Sequence, residues 1–345
     1  MRFGTLVVAF ALLHSSLAFG GKKETKVSPL PPARPIVLPG GEGGIGFDDL
    51  RYSHAMGKLL VPGGRSGRLN LVDPASGGVV SIPGFSVAEE FNGGHDDGVT
   101  SVADGAGLLF ATDRTSQQLS IVYYPTRTIV GQVKLGAGPD YVRWLEASRE
   151  LWVTEPDSER IEIFHLEPTR PPSLKLITRV PVPGGPESLT LDATRGRAYT
   201  HVGDGKTAVI DLRTHAILRT FDNGCGEARG VALDGSRGWL FVACQAGSVT
   251  TLDVATGRHL GTIQLGAGID IIGYSPDLGH LYVPSSETET LTILGVAKDG
   301  TLKVLGTVPA TKDSHCVAAV GKVFFADPAH GRLMMVLDTY PESPR

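Results

Sequence analysis

Beyond its first 18 residues the chain has no apolar run long enough to cross a bilayer as a helix, which excludes a helical membrane domain from that part of it. Charge of neither sign is in excess. With 32 basic and 36 acidic residues the net charge is −4, and no basic stretch interleaved with aromatic residues stands out. Nucleic acid is therefore not a partner this composition points to. Catalytic signatures are missing too. There is no Gly-x-Ser-x-Gly elbow, and the glycine-rich stretch 40–46 lacks the strand and helix context of a nucleotide site, so it reads as turns.

What is present begins with a targeting signal. Arg2 precedes the apolar run Leu6 to Leu13, and Ser16-Leu17-Ala18 supplies the small residues a signal peptidase needs. Residues 1–18 read as a signal peptide and residues 19–33 as a polar, proline-rich leader, so the protein is expected to be exported, to the periplasm or outside the cell. No cysteine lies near the cleavage point, which excludes a lipid-anchored lipoprotein.

The 45 glycines and 23 prolines are interleaved with apolar runs, so they mark frequent turns in a packed chain and not disorder. The stretch Cys225 to Leu265 shows the unit. Strands are expected at Gly230 to Leu233, Trp239 to Ala243, Ser248 to Asp253 and His259 to Leu265, because apolar and polar residues alternate between turns such as Asp234 to Gly238. Near copies recur along the chain. Their head residues are Asp48, Asp97, Asp140, Glu187, Arg229, Asp270 and His315, spaced 41 to 49 residues apart, a repeat length that fits a propeller blade. A single four-stranded sheet cannot bury both faces, so the copies must stack radially. The expected fold is an all-β, seven-bladed β-propeller of four-stranded antiparallel blades over residues 34–340, with 341–345 as a tail.

The seventh copy supplies only three strands, His315 to Val320, Lys322 to Ala326 and Arg332 to Leu337. The β-prone segment Arg34 to Pro39 has no partner of its own. Adding it to the last blade closes the ring and covers a sheet edge.

The strands LLFATD, LWVTE, AYTHV, LFVAC, LYVPS and VFFAD, followed by "IDL/LDV-x-T" strands such as Val209 to Thr214, resemble the YVTN or YncE-like seven-bladed propeller family over residues 34–340. This resemblance implies the fold. A more distant resemblance, to gluconolactonase-type propellers, implies a divalent metal in the central channel held by carboxylate and amide side chains.

The loops that lead into each blade open on one face of a propeller. Asp48, Asp97, Asp140, Glu187, Arg229, Asp270 and His315 should therefore ring one mouth of the channel, with His95 beside them in the dense cluster His95-Asp96-Asp97. Five carboxylates in a narrow space repel unless a cation or bridging hydrogen bonds offset them. Asp97, Asp140, Glu187 and His315 are candidate ligands for a divalent cation such as calcium. Singly, each head residue also reads as a turn residue bonding backbone amides. The second loops on that face add Asp113-Arg114, Glu155-Pro156-Asp157, His201, Gln245, Ser285-Ser286-Glu287 and Asp327. The opposite face, made of tight turns, is expected to be featureless.

Cys225 and Cys244 fall on the same face of the fifth blade and are expected to pair, leaving Cys316 as a small apolar residue between blades. Trp144, Trp152 and Trp239 lie on strands and read as core. Two functions follow from the residues. One is a non-catalytic exported propeller whose polar channel mouth binds a small molecule, a metal ion or a protein. The alternative is a metal-dependent hydrolase of the lactonase type acting at the same mouth.

Overall fold

The structure, a computed structural model, describes Met1 and residues 30–344. Apart from Met1, the expected signal peptide lies outside the described residues, as do leader residues 19–29 and Arg345. Among the described residues no helix is long and apolar enough to cross a membrane.

Seven four-stranded antiparallel sheets form the seven blades expected. The fifth comprises Ala228–Asp234, Trp239–Cys244, Ser248–Asp253 and His259–Gln264, paired in that order. The second strand of this blade is buried at every position, whereas its outer strand is exposed or half-buried throughout. This explains the sequence pattern. A middle strand packs against neighbouring blades on both faces and reads as a continuous apolar run, while an edge strand carries polar residues. Side chains from adjacent blades fill the gaps between them. Phe110 of the second blade stacks on Trp144 of the third with ring centroids 5.3 Å apart, and Trp152 and Trp239 are buried in other clusters.

The repeated Asp-x-x-Thr/Ser string has a local cause. The Oδ1 of Asp211 accepts from the backbone amides of Arg213 and Thr214 and from the Thr214 hydroxyl, and Asp253 does the same with Ala255 and Thr256. Asp73 repeats the arrangement with Ala75 and Ser76 in the first blade. Each of these carboxylates replaces a backbone acceptor and fixes the turn into the outer strand.

Ring closure follows the expected route. Arg34–Val37 pairs antiparallel with Arg332–Val336, with Arg34 opposite Met335 and Val37 opposite Arg332. Leu38, the next residue, is fully buried in the largest core cluster. A second fastening comes from the chain beyond the last strand. There the Asp338 carboxylate takes hydrogen bonds from His280 and Tyr282 of the sixth blade, and the His280 Nε2 reaches the Pro341 carbonyl.

The expected disulfide is present. Cys225 and Cys244 are bonded with their Cα atoms 5.7 Å apart, and Cys316 is free and buried.

Candidate ligand-binding site

Two cavities of about 250 Å³ each open at the mouth of the channel on the face of the blade-entry loops, and they share His95, Arg229 and Asp270. They form one basin. Asp48, Asp140, Glu187 and Asp270 line the first lobe, and Asp270 and His315 line the second. Every head residue except Asp97 therefore faces the basin. The loop Gly93–Gly98 accounts for that exception. Gly98 sits at φ 69°, and a Cβ there would come within 2.1 Å of the Gly64 carbonyl, so the chain must turn at a glycine. His95 and Asp96 line the basin from this loop, and Asp97 borders neither lobe.

Arg114, from the second loop set, organises the first lobe. Its guanidinium is paired with Asp48, Asp96 and Asp140, and it also donates to the Pro139 and His95 carbonyls. All of its nitrogens are engaged, so it is a fixed strut and not a group free to receive an anion. Burial alone would lower the Arg114 pKa, but the Asp140, Asp48 and Asp96 carboxylates outweigh it and hold the group above its ordinary value.

Electrostatics here are dominated by desolvation. Burial, with Asp140 beside it, pushes Asp48 well above the usual carboxylate range against the pull of Arg114. Burial likewise pushes Asp140 up to about 7, opposed by Arg114 and assisted by Glu187 and Asp270. Glu187 is raised by burial and partly relieved by Arg229. The His95 ring is pushed down to about 4, mainly by burial. The surroundings thus favour the protonated forms of these carboxyl groups more than water does.

Arg229 stands between two carboxylates, 2.6 Å from Glu227 and 3.6 Å from Glu187. Gln245, with its amide oriented to satisfy its surroundings, donates to both Glu227 oxygens at 2.6 and 2.7 Å. The carboxylate and amide side chains at this mouth are thus committed largely to one another.

The four residues expected to ligate a cation are not brought together. Asp97 borders neither lobe, Asp140 is paired with Arg114, and Glu187 faces Arg229. Among the described residues, the grouping whose donor atoms converge is His95, Asp270 and His315, all within 4.8 Å of one another. Two of those three were read in the sequence as ligand-binding residues only. Adjacent His315 and Cys316, in the loop just before the strand Val317–Ala319, part company, His315 facing the basin and Cys316 buried in the core.

Most of the second-loop residues turn out to be structural. Glu155 accepts from the Gly136 and Ala137 amides and from Arg160. Asp113 accepts from the amides of Ser86 and Ser116, and Asp327 from Thr311 and Arg332. The acid closing LLFATD, LWVTE and VFFAD is therefore a pin that fastens neighbouring loops. His201 is fully buried, with Nε2 donating to the Gly230 carbonyl and Nδ1 accepting from Thr207, and burial lowers its pKa to about 4. Asp157 and Ser286 do reach the basin. Tyr141 and Asp313 also line it, and neither was singled out in the sequence.

The opposite face is not featureless, contrary to expectation. A cavity of about 460 Å³ lies there between the third and fourth blades, lined by residues that include Leu145, Ala147, Glu150, Gly196 and Leu212. The turns that meet there carry small residues, Ala147, Ala193 and Gly196, which leave a gap that no single turn reveals.

No family model and no curated protein matches the chain. Solved structures do. The chain is similar to a chain of the "Crystal Structure of Mitotic Checkpoint Complex", with 15% identity, TM-score 0.74, and coverage of 97% of this chain and 99% of that one. It is also similar to the Cps50 (Swd1) β-propeller domain of Myceliophteria thermophila, with 13% identity, TM-score 0.68, and coverage of 86% and 98%. A third similar structure is Kuenenia stuttgartiensis hydrazine synthase, with 13% identity, TM-score 0.68, and coverage of 93% and 99%. At such identities the likeness is one of fold, and it places the chain among seven-bladed β-propellers.

Proposed function

We propose that this protein is an exported propeller of the YVTN or YncE-like kind that binds a small polar ligand in the basin at its channel mouth and performs no chemistry on it. The observation that carries the reading is the convergence of side chains from all seven blades on one basin, lined by Asp48, His95, Asp140, Glu187, Arg229, Asp270 and His315 among others. Together the two lobes fall in the size range of small-molecule sites, roughly 300–1,000 Å³. Holding several buried carboxyl groups in one place disfavours their ionised forms. A ligand that brings hydrogen-bond donors or positive charge offsets that cost. Export is supported by the apolar run Leu6 to Leu13 and by the Cys225–Cys244 bridge. The hydrolase alternative draws only on the His95, Asp270 and His315 grouping.

The test is a thermal-shift screen of polyols, amines and amino-acid derivatives against the purified protein, repeated on Glu187→Gln and Arg229→Gln. Compounds that raise the melting temperature of the wild type should lose most of that shift in both variants. Stabilising compounds whose shifts survive both substitutions would place the binding elsewhere.

A further inference from the structure

Within the basin, one corner differs from the rest. Asp48 and Asp140 are satisfied by Arg114, and Glu187 faces Arg229. The side chain of Asp270, which lines both lobes, has no hydrogen-bond or ion-pair partner among the described residues. The His95 Nδ1 is buried and has no hydrogen-bond partner. The third member, His315, stands against His95 with ring centroids 5.2 Å apart and planes at 47°.

His315 contacts two backbone carbonyls, with Nδ1 2.6 Å from the oxygen of Asp313 and Nε2 2.9 Å from that of Phe47. A neutral imidazole carries one N–H and can donate to only one of them. An ion can therefore be bound only when the ring turns one nitrogen away from its carbonyl, with the other carbonyl kept as the acceptor. Metal-bound histidines are held in this way, with the ring oriented by a backbone acceptor behind it.

We propose that His95, Asp270 and His315 form a binding site for a first-row divalent transition-metal ion of the zinc type, with open coordination positions facing the basin. Two imidazoles and one carboxylate are a mixed nitrogen and oxygen donor set, which suits zinc, copper, nickel, cobalt or iron. Calcium and magnesium favour all-oxygen coordination, whereas two of the three donors here are imidazole nitrogens. The three ligands come from the loops entering the second, sixth and seventh blades, so the ion would tie together segments distant in sequence. It would also present a Lewis-acidic face to whatever occupies the basin. This assignment deepens the proposed function and rests on the mouth being the ligand site.

The experiment uses the purified protein without a polyhistidine tag, stripped with chelator and titrated with Zn²⁺ by calorimetry and with Co²⁺ by visible absorption. One equivalent of each ion should bind, and Co²⁺ should give ligand-field bands. His95→Gln and Asp270→Asn, neither of which removes a hydrogen bond within the protein, should each weaken Zn²⁺ binding by about 100-fold or more, as should His315→Gln. Asp97→Asn should leave the affinity within about twofold. Circular dichroism of each stripped variant should match the wild type. The assignment is overturned if Zn²⁺ does not bind at about one equivalent, or if binding survives both His95→Gln and Asp270→Asn. Should metal binding fail while Glu187→Gln still abolishes ligand shifts, the metal site falls and the mouth remains the ligand site. If Zn²⁺ binds but no ligand responds to Glu187→Gln or Arg229→Gln, the mouth reading fails and the metal site stands alone.

Discussion

Asp140→Asn isolates the cost of gathering carboxyl groups at the mouth. In the folded protein Asp140 is held at about 7 by burial and by its carboxylate neighbours, against the opposing pull of Arg114, whereas an unfolded aspartate titrates near about 3.9. The sign follows from linkage. A raised folded pKa means that the native state binds the extra proton, so this stability is fully present below about pH 4 and is lost as the pH rises through about 7. Each pH unit is worth at most about 1.4 kcal/mol per proton, so the wild type should lose roughly 2 to 3 kcal/mol between about pH 5 and about pH 7. Asp48 is raised by the same surroundings, so the proton belongs to the pair and not to one residue.

The asparagine amide oxygen can still accept from Arg114, yet the side chain cannot ionise. The variant should therefore match the wild type below about pH 4, and its advantage should grow by roughly 2 to 3 kcal/mol between about pH 5 and about pH 7.5. Urea unfolding of both proteins across that range, with linear extrapolation to water, reads the difference directly. A pH-independent gap, or a variant less stable than the wild type at the higher pH, would refute the reasoning. Asp140 would then serve chiefly as the ionised partner of Arg114.

Two further outcomes test the fold. Deleting Arg34 to Pro39 removes the outer strand of the seventh blade and the buried Leu38, and should lower the melting temperature on the order of 5 °C, followed by circular dichroism. An unchanged melting temperature would mean that the ring closes without it. Non-reducing peptide mapping should find Cys225 linked to Cys244 and Cys316 free, and replacing both linked cysteines with serine should cost about 3 kcal/mol in denaturant unfolding. A bridge involving Cys316 would contradict the assignment.

Much of the fold is legible in the chain because each blade repeats its own local chemistry. The Asp211 and Asp253 turns are built from residues two and three positions on, so the motif is a local instruction that sequence displays directly. The seventh copy is one strand short, which points to the segment at Arg34 as its complement. The site is legible only as a set of positions. Arg114 pairs with Asp48, 66 residues earlier, and with Asp140, 26 residues later, and no local pattern encodes that it neutralises both. Whether Asp96 or Asp97 faces the basin depends on a turn at Gly98 forced by the close approach of Gly64. The cavity opposite the mouth is assembled from turns of two blades, so no single turn in the sequence announces it.

The most direct measurement of the central claim is an experimental structure of the protein bound to the strongest stabilising compound from the screen. The account predicts the compound in the mouth basin, with at least one of Glu187, Arg229 and Asp270 in hydrogen-bond contact with it. A compound seated between the third and fourth blades, against Leu145, Glu150 and Leu212, with the basin unchanged, would contradict it.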